Sequence, residues 1–479
     1  MNKFLKKAGF TCLFLFVYFY GISFSPPCYF SSEQKKAYNL ILKLNFKVPV
    51  KFLNGQDINN FQLKSLSYCL DAFVNCDKRK YQLGRRLSLK WIDTVSNSKE
   101  GEEKRFVKAL IKIHWAFIAS TYNEKVFAAL EMRQAYMLLK ENFQMYPHHK
   151  PTLLYYGLFN SFIADIPETY KWIANAVGLR SSFQTGIYMV NSSRNCDPLL
   201  ELEKNALMLL RKPQTELEVR AINKACDYLM EMHGNDDLIK FLVAFYYLKN
   251  KNTHEASIIL RNIHDNSSPM LVYQKALSSY NNLEIDTAIY YFKKFNKINK
   301  SESFKKDASL KLSYLNFLEG DTIQGKRYLS SIKKIGNDAI YADKAAEKLS
   351  NQQIPDFLTL KSRILFDAGN WSDAKRFLLL IKPQTIPQKT EYYYRLGKSE
   401  FELGNLEKAI FYYKECAKVC PKQNSYYGPF ACLNLAEICL NLNDKIKAKS
   451  FLNSSKNFSG FDFQSTYRIR FAELSKLIR

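Results

Sequence analysis

Residues 391–421 read EYYYRLGKSEFELGNLEKAIFYYKECAKVCP, and this stretch decides the fold. Apolar and aromatic residues recur at helical spacing on both sides of Gly404-Asn405, a pair suited to a tight turn. The stretch is therefore two helices folded back on one another. Gly397 lets the second helix approach the first closely, Ala409 returns a small surface, and Tyr413 fills the gap toward the neighbouring hairpin. Pro421 closes the unit because it cannot continue a helix. Glu400 is the exception, a carboxylate among apolar and aromatic side chains.

Working outward, the same small-residue marks recur. Ala256, Ala288, Gly325, Ala374, Ala409 and Ala448 open the second helices at intervals near ~34 residues, with one larger gap around residues 338–349 where an extra or broken helix is expected. The matching slots in the first helices hold Ala244, Ala276, Ser313, Ser362, Gly397 and Ala436, all small. With Tyr393, Leu396, Gly397, Ala409, Tyr413 and Pro421 in the slots of W-x2-L-G-x2-Y…A-x3-F…P, residues 391–421 resemble the tetratricopeptide repeat. The resemblance implies an all-α, right-handed α-solenoid of antiparallel helix hairpins and a protein-binding role, and it implies an aromatic ring where Glu400 stands. It is silent on chemistry.

The bulk composition agrees with an elongated array. The chain has 479 residues but only 14 Pro and 17 Gly and no long low-complexity linker. A single core rarely grows that large, whereas a stack in which each repeat packs on its neighbours can. Lys and Arg number 70 against 45 Asp and Glu, a formal charge of +25. The basic residues are spread along the chain instead of forming a run, so the excess does not by itself point to nucleic acid, and none is expected as a partner.

The first residues read as an address. Lys3, Lys6 and Lys7 precede an apolar run at residues 10–20, and Gly21-Ile22-Ser23 offers small residues for a signal peptidase. The run is shorter than the ~20 residues of a spanning helix, so cleavage after residue 23 is expected over a permanent anchor. Cys28 follows Ser25-Pro26-Pro27, which does not resemble a lipobox. Export to a periplasm or bacterial cell envelope is the resulting expectation. The alternative is membrane anchoring by residues 8–24.

The remaining chain divides into degenerate helical repeats at residues 24–150, a helical block of non-standard repeats at 151–235, and an array of about six hairpins at 236–479. In the first part, residues 36–46, 61–75, 104–122 and 125–145 have helical spacing, with Leu63, Leu66, Leu70 and Phe73 on one face. In the second part, Gly157, Asn160, Ile166-Pro167, Trp172 and Val177-Gly178-Leu179 form a different pattern. Residues 151–230 are similar to the inclusion-body clearance family of tetratricopeptide proteins and its bacterial relatives. Gly157 is expected to permit close helix approach, Pro167 to start a helix and Gly178 to cap one.

Enzymatic motifs do not emerge. Gly320 to Arg327 nearly spells a phosphate loop but lacks the hydroxyl and the preceding strand, and both glycines fit turn and packing slots. The six histidines, His114, His148, His149, His233, His254 and His264, show no carboxylate pattern, and His148-His149 beside Pro147 reads as polar surface. After Cys12 in the leader, nine cysteines remain at irregular spacing, an odd number and not a disulfide framework. Cys416 and Cys420 lie one turn apart on one helix, and Cys432 and Cys439 two turns apart on the next. Geometry allows a bridge or a four-thiolate metal site there, but small buried thiols filling packing slots are the expectation. No catalytic residue, metal or cofactor is expected.

What remains is binding. In such arrays the first helices line the concave face. Projection by helical period places Phe241, Phe245, Tyr273, Tyr280, Tyr314, Phe317, Arg363, Phe366, Tyr394, Lys398 and Phe401 along it. Aromatic anchors with a few cations suit an extended protein or peptide segment, the rings burying area and the cations reading carboxylates. The alternatives are stacking of the same rings on a glycan and a membrane-tethered assembly factor that keeps its N-terminal segment.

Overall fold

In a computed structural model, which describes residues 30–164, 183–193, 198–211, 216–263 and 267–478, the small-residue ladder is wholly buried. Ala244, Ala256, Ala276, Ala288, Ala374, Ala409, Ala436 and Ala448, with Ser313 and Ser362, are each 0% exposed. Absence of bulk at such buried positions lets the two helices of a hairpin approach closely. At Gly397 an added Cβ would sit 2.7 Å from the ring of Tyr413. At Gly325 it would meet the ring of Phe317 at 3.0 Å, and Ser313 Oγ donates to Gly325 O at 2.7 Å. The phosphate-loop look of residues 320–327 is thus a turn glycine followed by a packing glycine.

The described residues form 24 α-helices and no β-strand. Hairpins of the array are Asp237–Lys249 with Thr253–Arg261, Pro269–Asn281 with Ile285–Ile298, Lys305–Glu319 with Thr322–Ser331, Phe357–Ala368 with Trp371–Leu378, Ile386–Glu402 with Leu406–Val419, and Tyr427–Asn441 with Lys445–Ser455. The wide gap in the sequence ladder holds an extra helix, Tyr341–Ser350, after a short 3-10 turn at Ile332–Lys334. Gln464–Ile478 covers the end of the stack, where Arg470 Nη2 donates to Asn434 Oδ1 at 3.0 Å and to Glu437 Oε2 at 2.6 Å.

Helix starts follow local chemistry. Asp321, Asp356, Asn370, Thr385 and Asp444 each accept from a backbone N–H in the first turn, satisfying donors that the helix itself leaves free. Gly404 turns the chain at φ +80. The odd Glu400 is accounted for by its neighbours. Its side chain is buried, pairs with Lys375 Nζ of the preceding hairpin at 2.9 Å, and accepts from Asn405 Nδ2 at 2.7 Å. An ion pair between successive hairpins replaces the ring.

The N-terminal region obeys the same packing rule with different residues. Glu102–Thr121 and Lys125–Met145 pair as the spacing predicts, behind Ile58–Val74 and Lys78–Ser96. The close-approach glycine here is Gly84, whose added Cβ would lie 2.2 Å from Trp115 Cη2. Gly157 likewise meets Gly186, with 2.8 Å from an added Cβ to Gly186 O, so Lys150–Ala164 and Phe183–Ser192 touch backbone to backbone. Ile166-Pro167, Trp172, Val177-Gly178-Leu179, Cys196 and His264 lie outside the described residues, as do Cys28 and residues 1–23.

Small rotations from hairpin to hairpin bring distant parts of the chain together. Phe73 meets Phe241 edge-on at 6.2 Å, Asp77 pairs with Lys300 Nζ at 3.6 Å, and Tyr38 Oη donates to Glu203 Oε1 at 3.2 Å. Further along, Thr253 Oγ1 donates to Ala368 O at 3.1 Å. The inner faces of the first helices therefore look partly onto other turns of the same chain.

Candidate binding sites on the inner wall

The inner wall divides into an apolar chamber and a polar cleft. The chamber, of about 350 Å³, lies between the first two array hairpins and the N-terminal helices that face them. Phe73, Phe117, Phe241, Phe245, Tyr273 and Phe304 line it with their rings. Tyr273 is fixed by a short hydrogen bond from its hydroxyl to Asp307 Oδ2 and by the ring of Phe304 at 4.8 Å.

The cleft, of about 510 Å³, opens between Phe357–Ala368 and Ile386–Glu402. Its charged residues form one network. Arg363 Nε donates to Glu391 Oε1 at 2.6 Å while Arg363 Nη2 takes the other carboxylate oxygen, a fork that carries planar geometry as well as charge. One turn on, Arg395 Nε donates to the same Oε1 at 2.8 Å. Burial alone would raise the Glu391 carboxyl, but the hydrogen bond from Arg363 and the charges of Arg395 and Arg363 hold it below its usual value. Arg395 is 8% exposed, yet its Nη1 has no hydrogen-bond partner, the Asp367 carboxylate standing 3.7 Å away. The guanidinium lies over the ring of Phe366 at 4.6 Å, which fixes its plane.

The eleven residues projected onto the groove do not form one continuous strip. Phe241, Phe245 and Tyr273 line the chamber, and Arg363 lines the cleft. Tyr280 and Phe366 are 8% and 7% exposed. Tyr280 packs edge-on against Phe292, and Phe366 against Trp371 at 5.2 Å with Lys251 Nζ 5.0 Å from its ring. Tyr314 and Phe317 are half-buried, Phe317 lying across Gly325 of its own hairpin. Tyr394 sits between Tyr413 and Tyr427, and Lys398 pairs with Glu402 beside Phe401. Sequence reasoning missed Glu391 and Arg395. Their i, i+4 spacing was visible, but that both face Arg363 depends on how adjacent hairpins rotate.

One reading of reactive residues changes. His148 is exposed as expected, whereas His149 is buried, its Nε2 3.0 Å from Glu103 Oε1 and its Nδ1 2.7 Å from Thr152 Oγ1. His114 is buried inside a helix, with Nδ1 2.9 Å from Ser65 Oγ. The described cysteines, Cys69, Cys76, Cys226, Cys416, Cys420, Cys432 and Cys439, are all buried free thiols. Burial pushes the Cys76, Cys226 and Cys432 thiols up to about 12, well away from reactive thiolates.

Residues 390–423 match the tetratricopeptide repeat family. On a solenoid of helix hairpins, that match supports a tetratricopeptide-repeat protein of the interaction-scaffold type. No curated protein matches the chain. Among solved structures, the human IFIT1 dimer with m7Gppp-AAAA is 12% identical with a TM-score of 0.36, over 97% of this chain and 94% of that one. The P58(IPK) TPR domain is 16% identical with a TM-score of 0.21, over 74% and 96%. Yeast Tom70 is 11% identical with a TM-score of 0.22, over 92% and 96%. At these TM-scores the likeness assigns neither ligand nor partner.

Proposed function

We propose that the chain holds an extended segment of a partner protein in the cleft between Phe357–Ala368 and Ile386–Glu402, and that Arg395 reads an acidic side chain or terminal carboxylate of that segment. The observation that carries this is the buried Arg395 guanidinium, which lines the cleft with Nη1 lacking a hydrogen-bond partner. Buried polar groups are costly without partners, and a carboxylate matches the guanidinium fork. Arg363 and Glu391 pre-position it, so little ordering is left to binding. The burial of Phe241, Tyr273, Tyr280 and Phe366 favours this polar recognition over stacking of the same rings on a glycan.

The setting we propose is an exported one, in a periplasm or cell envelope, supported by the basic start and apolar run of residues 3–20. The similarity of residues 151–230 to the inclusion-body clearance family fits a scaffold of stacked hairpins.

The test is fluorescence polarisation with an array of acidic and C-terminally free peptides. Arg395→Gln is expected to weaken peptides bound by the parent at least ~10-fold, the scale of a lost charge-assisted hydrogen bond. Equal binding by parent and variant would remove the cleft from the function.

A further inference from the structure

The apolar chamber carries a different site from the polar cleft, with no lining residue in common. Protein interiors ordinarily close-pack, whereas a chamber of about 350 Å³ lies in the size range of small-molecule sites. Phe245 and Leu248 on one helix, Leu277 on Pro269–Asn281, and Phe73 and Phe304 all line it and all stay only partly buried. Each of these side chains ends in carbon and offers no hydrogen bond. The body of a ligand that fits here is therefore hydrocarbon.

Its length follows from the helix that walls it. Phe241 and Leu248, both on the lining, are seven residues apart, a run of about 10 Å at the rise of an α-helix. A run of that length favours a linear chain over a compact ring.

Ser120, Thr121, Lys249, Tyr273, Gln274 and Asn281 interrupt the apolar wall with polar groups. Gln274, 2% exposed, uses its Nε2 to donate to Phe241 O at 3.2 Å, and that bond orients the amide. Its Oε1 has no hydrogen-bond partner. A buried amide oxygen without a partner is expensive, and a ligand that brings one donor removes that cost.

We infer that this chamber binds a single-chain lipid whose head donates one hydrogen bond, such as a fatty alcohol, with the chain along Phe245 and Leu248 and the head hydroxyl donating to Gln274 Oε1. The ligand is held by burial of its chain and selected by one hydrogen bond, so affinity and selectivity are separable.

Titration calorimetry of the full chain with 1-decanol and with decyl methyl ether, which has the chain but no donor, separates them. Decanol is expected to bind saturably, and the ether about 10-fold more weakly, the upper range for one hydrogen bond. Gln274→Met is expected to bind both alike. Leu277→Trp, which puts an indole into the chamber, is expected to abolish decanol binding while leaving acidic-peptide binding in the cleft unchanged. Phe245→Trp reads the same loss should Leu277→Trp fail to fold. Absence of saturable decanol binding by the parent, or parental affinity in both tryptophan variants, would overturn the site. Equal affinity of the parent for decanol and ether would overturn the role of Gln274.

Discussion

Thr253 Oγ1 donates to Ala368 O at 3.1 Å although the two residues are 115 positions apart. Thr253 opens the second helix of one hairpin, and Ala368 ends the first helix of a hairpin well along the array. The contact is reinforced by Lys251, whose ammonium lies 5.0 Å from the ring of Phe366 and 5.1 Å from that of Trp371. One turn of the solenoid thereby rests on another, and part of the inner wall becomes interior.

That contact leaves no room for a side chain at Gly369. Its φ is +81, and an added Cβ would stand 2.0 Å from Lys251 O. Gly369→Ala is expected to cost about 1–3 kcal/mol, from strain in the left-handed region and from forcing the two turns apart. Urea denaturation measures the loss. Faster limited proteolysis near residues 251 and 369 is the accompanying sign that the turns have separated.

Gly84 and Trp115 make the N-terminal counterpart. An added Cβ at 2.2 Å from Trp115 Cη2 cannot be absorbed by a ring that is 1% exposed and whose Nε1 donates to Ser65 Oγ at 3.1 Å. Gly84→Ala is expected to destabilise by about 1–3 kcal/mol, the usual range for overpacking. Trp115→Phe, which shortens the ring, should recover part of the loss in the double variant. A purely additive double variant in thermal denaturation would show that the two sites do not meet.

Glu400 is expected to be worth more than its exposed neighbours. Its carboxylate is 1% exposed and joins Lys375 to Asn405. Glu400→Gln keeps the shape but removes the charge, leaving Lys375 without its ionic partner and one contact mismatched. The expected loss is about 1–3 kcal/mol, against a few tenths for Glu407→Gln in the exposed first turn of the next helix. Paired denaturation curves decide it.

A pH dependence should trace to Asp343. Its carboxyl accepts from Phe304 N at 2.6 Å and from Asp307 N at 2.9 Å, serving the start of Lys305–Glu319 from another helix. Burial pushes it from 3.8 up to about 7, the Asp307 charge adds to the rise, and the backbone N–H groups oppose it. Between those two values the folded chain retains a proton that the unfolded chain has released, so this contribution is full at low pH and is lost as pH rises through about 7. Stability of Asp343→Asn is expected to fall less than that of the parent between pH 5 and 8. Urea midpoints across that range measure the difference, and parallel curves would assign the titration elsewhere.

Reading along the chain was enough to identify the hairpins. Ala288, Ala374 and Ala409 are all fully buried, and the gap in their spacing does hold the extra helix Tyr341–Ser350. These features were legible because helical periodicity, turn chemistry and the need for a small residue at each crossing involve neighbours within one or two repeats. Glu400 was visible as an exception but not as an ion pair, because Lys375 is supplied by the hairpin before it. Gly84 gave no signal, since its partner Trp115 lies on a helix that the repeat pattern does not reach.

What only the tertiary structure decided is which inner faces remain open. Phe366 and Arg363 lie three residues apart on one helix, yet Phe366 packs beneath Lys251 and Trp371 while Arg363 reaches Glu391 in the cleft. The sequence by itself determined the hairpins, because each is held by contacts close along the chain. The chamber and the cleft depend on small rotations summed over several hairpins until Thr253 meets Ala368, and no local pattern encodes that sum.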